Sequence, residues 1–310
     1  MLKYIAKRLA AMIPVILGVT LIVYLIMSLA PGDPARTILG EQATEEQVNE
    51  LREEMGLNDP IIVQYFRYIW NLLHGDLGRS YQSRIDVSTE IFSRFPNTIK
   101  LALAASLFSV ILALPLGIIA AVKQNTFFDS FSMFVAIIGI SCPTFWFGLI
   151  LILVFAVNLK WFPVSGQVDN FRGMVLPALT LAFNSMAAMA RVTRSSMLEV
   201  IRQDYLRTAR AKGVPEKTVI KKHAFKNALI PILTVIGTQF GVAMGGAVMT
   251  ETVFAWPGIG RLLVDSISQR DTQMVTGTII LTTMLSSLVI LLIDIAYAFV
   301  DPRIKARYSK

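Results

Sequence analysis

Six stretches of this 310-residue chain run for 17 to 30 residues without a single Asp, Glu, Lys or Arg: Leu9–Ala30, Leu101–Val122, Ser130–Leu159, Met174–Ala190, Asn227–Thr250 and Thr272–Ile293. A bilayer core about 30 Å thick is crossed by roughly 20 helical residues rising 1.5 Å each. Met174–Ala190 is therefore a short or tilted span, and Ser130–Leu159 is long enough for a span plus a kink or turn at Ser141-Cys142-Pro143. The expectation is an all-α polytopic membrane protein with about six transmembrane helices. Composition agrees: 54% of residues are hydrophobic before the 19 Gly are added, and 16% are charged; with Gly counted the apolar share is roughly 60%, against about 45–50% on that count and about 25% charged in average soluble domains. That balance excludes a disordered chain and argues against an ordinary soluble enzyme. Lys3, Lys7 and Arg8 before the first stretch, and Ser28-Leu29-Ala30 at its end, imitate a signal peptide. The apolar run exceeds the 7–15 residues of a signal core, so an uncleaved anchor is expected.

The charges that remain divide unevenly. With the N-terminus placed in the cytoplasm, the inside segments 1–8, 123–129, 191–226 and 301–310 hold 18 Lys and Arg against five acids. The outside segments hold 11 against 15. An excess of Lys and Arg in cytoplasmic loops sets membrane orientation. The net charge of +8 is thus a topology signal with both termini inside, and nucleic acid is not expected as a partner. The single Cys142 rules out a disulfide framework, and the separated His74 and His223 leave little room for a metal site.

The chain divides into three regions: an N-terminal segment with the first span (1–30), an external cap with short helices (31–99), and a five-helix core (100–310) carrying an internal loop (191–226). In the cap, Pro31-Gly32-Asp33-Pro34 is expected to stop the first span. Thr44-Glu45-Glu46-Gln47 reads as a capping box opening a helix that presents Val48, Leu51 and Met55 and ends at Gly56. A second helix starts after Asp59-Pro60, with Ile62, Tyr65, Phe66, Ile69, Leu72 and Leu73 apolar, before Gly75-Asp76-Leu77-Gly78 breaks the chain. Such a cap either packs on the membrane bundle or offers a docking surface to an external partner.

In the internal loop, Asp204–Lys212 has helical composition, Gly213 suits a left-handed stop, and Val214-Pro215-Glu216 restarts a helix. Two short helices joined at a glycine form a rigid projecting lever. The alternative is an amphipathic hairpin lying on anionic lipid.

Asp204-Tyr205-Leu206-Arg207-Thr208-Ala209-Arg210-Ala211-Lys212-Gly213, followed by His223-Ala224-Phe225-Lys226-Asn227-Ala228-Leu229-Ile230-Pro231, resembles the cytoplasmic loop of the dipeptide/oligopeptide permeases. These are transmembrane subunits of binding-protein-dependent ABC importers. Pro31–Pro34, Gly56–Pro60, His74–Gly78, Arg194–Met197, Thr250–Arg261 and Asp301–Ile304 are similar as well. The resemblance is to the subunit that carries the long first external loop. Aligned on Gly213, Arg207, Thr208 and Ala209 stand where the wider class has Glu-Ala-Ala, and the peptide branch commonly shows this Arg-Thr-Ala version. Pro231 stands where the later proline of that pattern is expected, and Lys226 occupies the position of the earlier one.

The resemblance implies the type I ABC importer permease fold. It also implies ATPase coupling through Asp204, Tyr205, Arg207, Thr208, Ala209, Arg210 and Gly213. The implied partners are a second homologous permease, two ATPase subunits and an extracytoplasmic substrate-binding protein, in the cytoplasmic (inner) membrane of a bacterium or archaeon. Cargo in related importers is dipeptide, longer peptide, glutathione or nickel. ATP and Mg would sit on the partner subunits. This chain has no Gly-x-x-x-x-Gly-Lys-[Ser/Thr] loop to cradle phosphates, no catalytic residue is assigned, and no bound cofactor or metal is expected.

Gly237, Gly241 and Gly245 recur every four residues in the fifth stretch, a face on which helices approach closely. It serves tight packing or leaves space for a cargo path, with Thr238 and Gln239 as polar lining. The resemblance adds Glu251 and Trp256 as a gate-forming segment, with simple helix-end anchoring as the alternative. Asp294, at the end of the last stretch, is expected to pair with Arg191, Arg194 or Arg303 rather than relay protons. A self-sufficient ion-coupled secondary transporter is the alternative function, and it would need more intramembrane ionisable residues. A non-transporting scaffold or receptor is the third class.

Overall fold

The computed structural model describes residues 2–29, 33–40 and 42–300, side chains at 2–4, 7, 8, 37, 246, 294 and 296–300 excepted. Pro31, Gly32, the Asp301–Ile304 motif and the side chain of Asp294 lie outside the described residues. Those described are helical apart from turns and one isolated antiparallel bridge, Arg79 to Asp86. The chain divides into two compact units. One is Met1–Asn97 with Pro257–Leu291, and the other is Thr98–Trp256 with the chain from Leu292 on.

The first unit opens with α1 (Leu2–Leu29) and three short helices, α2 (Pro34–Leu39), α3 (Glu45–Glu54) and α4 (Ile61–Leu73). The capping box at Thr44 is present: Gln47 N–H donates to the Thr44 hydroxyl, and Thr44 N–H to Gln47 Oε1 at 3.0 Å. α4 lies on α1 through tyrosines. Tyr24 Oη donates to Gln64 Oε1 at 2.9 Å, and Tyr65 Oη donates to the Leu17 carbonyl at 3.1 Å. The cap thus packs on the first apolar helix. α5 (Val87–Val122) is 36 residues long, about 54 Å at 1.5 Å per residue, so it outruns a bilayer core. Its first residues, up to Asn97, belong to this unit.

The second unit holds α6 (Phe127–Ser141), α7 (Thr144–Leu151), α8 (Phe171–Ile201), α9 (Asp204–Ala211), α10 (Glu216–Thr218) and α11 (Phe225–Val253). The chain returns to the first unit for α12 (Ile259–Ser268) and most of α13 (Thr272–Val300). Around α13, Leu77, Val87, Ile91, Ile259, Leu262 and Met274 form a buried cluster. Asp271 caps α13 through Met274 N–H at 3.0 Å and accepts the Ser80 hydroxyl at 2.5 Å, which pins the 76–86 loop.

Among the described residues, five helices are long and apolar enough to cross a membrane, and six if the bent pair α6 and α7 counts as one span. The break comes at Ser141-Cys142-Pro143, where the sequence places it, and bends the pair by 107°. Proline carries no N–H to continue the ladder and pushes Cys142 to extended backbone (ψ 124°). α7 then runs on as a π-helix, Ile152–Asn158.

The fourth span departs from expectation. The 17-residue window sits inside a helix of 31 residues that is the centre of its unit. Its 18-residue apolar window has mean hydropathy 1.4, against 2.6 for that of α1, but 72% of that window is buried against 6%. A helix surrounded by protein does not need the apolarity that lipid demands. Glycines let its neighbours close in. A Cβ at Gly117 of α5 would stand 2.7 Å from the Ala190 carbonyl, and one at Gly139 of α6 would stand 2.8 Å from Ala187 Cβ. Ser109 Oγ of α5 donates to the Ala182 carbonyl at 3.0 Å.

Candidate functional site

α9 projects from the segment between α8 and α11, and its two faces differ. Leu206 is completely buried and joins Ala121, Met197, Val219, Ala224, Ala228 and Ile232 in one apolar cluster. Asp204, Tyr205, Arg207 and Thr208 are exposed. Asp204 in the first turn and Arg210 in the last complement the helix dipole.

The helix ends in a Schellman motif. Val214 N–H reaches the Ala209 carbonyl at 3.2 Å, and Gly213 N–H reaches that of Arg210 at 2.9 Å. Gly213 holds φ +76°, and nothing lies within 4 Å of where its Cβ would stand. The glycine is required by backbone conformation rather than by space.

Two polar ties lock α9 to the start of the next helical segment. Arg210 grips Glu216 with both arms, Nε to Oε2 at 3.0 Å and Nη2 to Oε1 at 2.9 Å. The hydrogen bonds from Arg210 to Glu216 raise its already high pKa. Asn227 Nδ2 donates to Tyr205 Oη at 2.9 Å and to the His223 carbonyl at 2.8 Å. The expected second short helix is not separate. From Glu216 the chain passes through a π-helical stretch, Val219–Ala224, straight into α11. With no Gly or Pro between Glu216 and Ile230 to break it, the helix continues through this wider π-helical stretch. α9 is therefore clamped to the end of a helix that runs unbroken to Val253.

Of the seven residues proposed for coupling, six lie on α9 and Gly213 closes its C-terminal end. Sequence reasoning missed the residues beneath it, Leu206, Glu216 and Asn227. The signal for Leu206 was present, since it is the one large aliphatic residue between Asp204 and Gly213.

The residues expected along a path are dispersed. Thr238 and Gly245 are exposed, and Gln239 and Gly241 are half-buried. The Thr238 hydroxyl donates to its own helix at the Thr234 carbonyl, 2.7 Å away. Glu251 and Trp256 are completely buried. Thr98 Oγ1 donates to Glu251 Oε1 at 2.7 Å, and Trp256 packs over Gly166. Ala255, between Phe254 and Trp256, takes φ +51° at the turn leaving α11. Arg194, a candidate partner for Asp294, binds Asp129 bidentately at 2.6 and 2.7 Å. Asp129 stands one residue before the long uncharged run, at the end of the inside segment 123–129. In the first unit a cavity of about 240 Å³ is lined by Tyr24, Gln64, Tyr68, Tyr81 and Thr276 among others. Burial there pushes the Tyr81 hydroxyl up to about 12, so it stays protonated.

Residues 113–306 match the family described as "Binding-protein-dependent transport system inner membrane component", and residues 1–102 match its N-terminal companion. The chain is 42% identical over 332 residues to the dipeptide transport system permease protein DppB of Alkalihalophilus pseudofirmus, covering 98% of this chain and 100% of the relative. It is 44% identical over 305 residues to the glutathione transport system permease protein GsiC of Escherichia coli K12, covering 98% and 99%. In fold it is similar to the inward-facing MetNI methionine ABC transporter, with TM-score 0.59, 17% identity, 68% of this chain and 96% of that one. An amino acid ABC transporter crystallised with histidines gives TM-score 0.53 at 16% identity, covering 70% and 94%. The matches from residue 1 to 306 and the likeness of fold agree: the chain belongs to the binding-protein-dependent transport system inner membrane component family, the membrane-spanning permeases of ABC transporters.

Proposed function

We propose that this chain is one of two homologous permeases of an ATP-driven importer that carries short peptides, of two or three residues, across the cytoplasmic membrane. The relatives named for dipeptide, di/tripeptide and glutathione transport support that cargo class. Two ATPase subunits bind at the cytoplasmic face, where the 18 Lys and Arg of the inside segments lie. A binding protein delivers peptide on the other side. ATP binding biases the permease pair toward the outward-open state, and hydrolysis resets it.

The observation that carries this reading is the division of α9: one face sealed by Leu206 and clamped by Arg210–Glu216, the other exposing Asp204, Tyr205, Arg207 and Thr208. An element that must transmit motion between subunits needs a free face to be gripped and a rigid root. Residues carried over from the family as a gate, Glu251 and Trp256, would then act by holding the end of α11 rather than by touching cargo.

Gly213→Pro tests the coupling. Proline fixes φ near −65° and cannot take the +76° held there. In proteoliposomes of the full complex, that variant should insert and assemble while peptide uptake per ATP hydrolysed falls at least ten-fold. Uptake still stimulated by the binding protein and ATP to the unaltered level would overturn the proposal.

A further inference from the structure

A groove of about 550 Å³ opens on the second unit where α5 ends and α10 passes toward α11. Its walls are Ile118, Val122, Ile220 and Phe225, almost wholly apolar, and its rim carries Glu216, Lys217 and Lys221. Two features define what fits. First, the groove sits at the ends of two candidate spans, Val87–Val122 and Glu216–Gly245, the depth at which acyl chains give way to headgroups. Second, its rim is positive. Glu216 is engaged by Arg210, whereas Lys217 and Lys221, both exposed, have no ion-pair partner among the described residues. An apolar trough bordered by two lysines with no ion-pair partner among the described residues matches a molecule with a long hydrocarbon tail and an anionic head. A neutral lipid would leave the lysines unused, and a soluble anion would leave the walls wet.

We propose that this groove binds one anionic phospholipid, its acyl chain against Ile118, Val122, Ile220 and Phe225 and its phosphate on Lys217 and Lys221. The inference goes beyond the transport function, and only the assignment to the cytoplasmic leaflet rests on it. The site also touches the root of the lever. Ile118, Ile220 and Phe225 pack against the cluster that buries Leu206, and Glu216 belongs to both the groove rim and the Arg210 clamp. A bound lipid would therefore stiffen the support of α9.

The test uses the complete transporter in nanodiscs of phosphatidylcholine with one tenth phosphatidylglycerol. Lipid retained after detergent extraction is identified by native mass spectrometry. Phosphatidylglycerol should be retained well above its bulk share. Lys217→Gln with Lys221→Gln should lower retention by about five-fold per lysine, with the ATPase subunits still bound. Val122→Trp, at an exposed wall position, should lower it with both lysines intact. Excess inorganic phosphate should not displace the lipid. Equal retention of the two lipids by the unaltered protein would overturn the proposal, as would retention unchanged in either variant or loss of lipid to phosphate alone. So would protection of Val122→Cys, in a Cys142→Ser background, from a lipid-soluble maleimide by the second permease, because protein would then cover the groove.

Discussion

Gly213 and the pair Asp129–Arg194 show what single residues contribute. At φ +76° an L residue other than Asn or Asp is strained by about 1–2 kcal/mol. Gly213→Ala should therefore lower uptake per ATP partway, while Gly213→Asn keeps most of it. Equal loss in both would show that the αL backbone is not what matters. Arg194 and Asp129 meet bidentately, with Asp129 nearly buried. Removing one partner from such a pair costs about 3 kcal/mol, because the other charge is left stranded. Asp129→Ala should lower the thermal midpoint of the purified complex, and Asp129→Ala with Arg194→Leu should recover part of the loss. A double variant no more stable than the single one would contradict that pairing.

Among the helices, what the sequence disclosed depended on what each one faces. α1 has an 18-residue window of mean hydropathy 2.6 with only 6% of it buried within this chain, the signature of a helix that faces lipid. α8 packs on protein along most of its length, so polar Thr180, Ser185, Thr193 and Ser196 are buried inside it and its uncharged run understated the helix by about half. The break at Pro143 was legible because proline acts locally. The burial of Glu251 and Trp256 was not, since it depends on Thr98 and Gly166, some 150 and 90 residues away in the chain. Likewise the loop proposed for coupling could be located from its glycine and its family resemblance, whereas the clamp that roots it appears only once Arg210 and Glu216 are placed side by side. Glycine packing gives a contrast to test. Gly117→Leu would drive its side chain into the Ala190 carbonyl and Thr193, an overpacking cost of about 1–3 kcal/mol, and should lower the thermal midpoint of the isolated subunit. Gly245 has nothing of this chain within 4 Å of its Cβ position. Gly245→Leu should leave the isolated subunit as stable as before yet reduce assembly or uptake of the complex. Normal assembly and uptake would show that this face meets neither partner nor cargo.

For the whole molecule, orientation and partners decide how the parts are used. The asymmetry of Lys and Arg predicts that a cysteine at Glu53 of α3 reacts with a membrane-impermeant maleimide in intact cells, and that one at Arg207 does not, both in a Cys142→Ser background. The reverse pattern would invert the topology. The most direct measurement of the central claim, that ATPase subunits act on this chain through α9, is photo-crosslinking from Arg207→Cys carrying a benzophenone in the same background. Arg207 is exposed on a helix whose other face is sealed by Leu206. Coupling through α9 predicts a covalent adduct with an ATPase subunit whose yield changes between the nucleotide-free and ATP-bound transporter. An adduct with the binding protein, or no adduct with an ATPase subunit in an assembled and active complex, would contradict it.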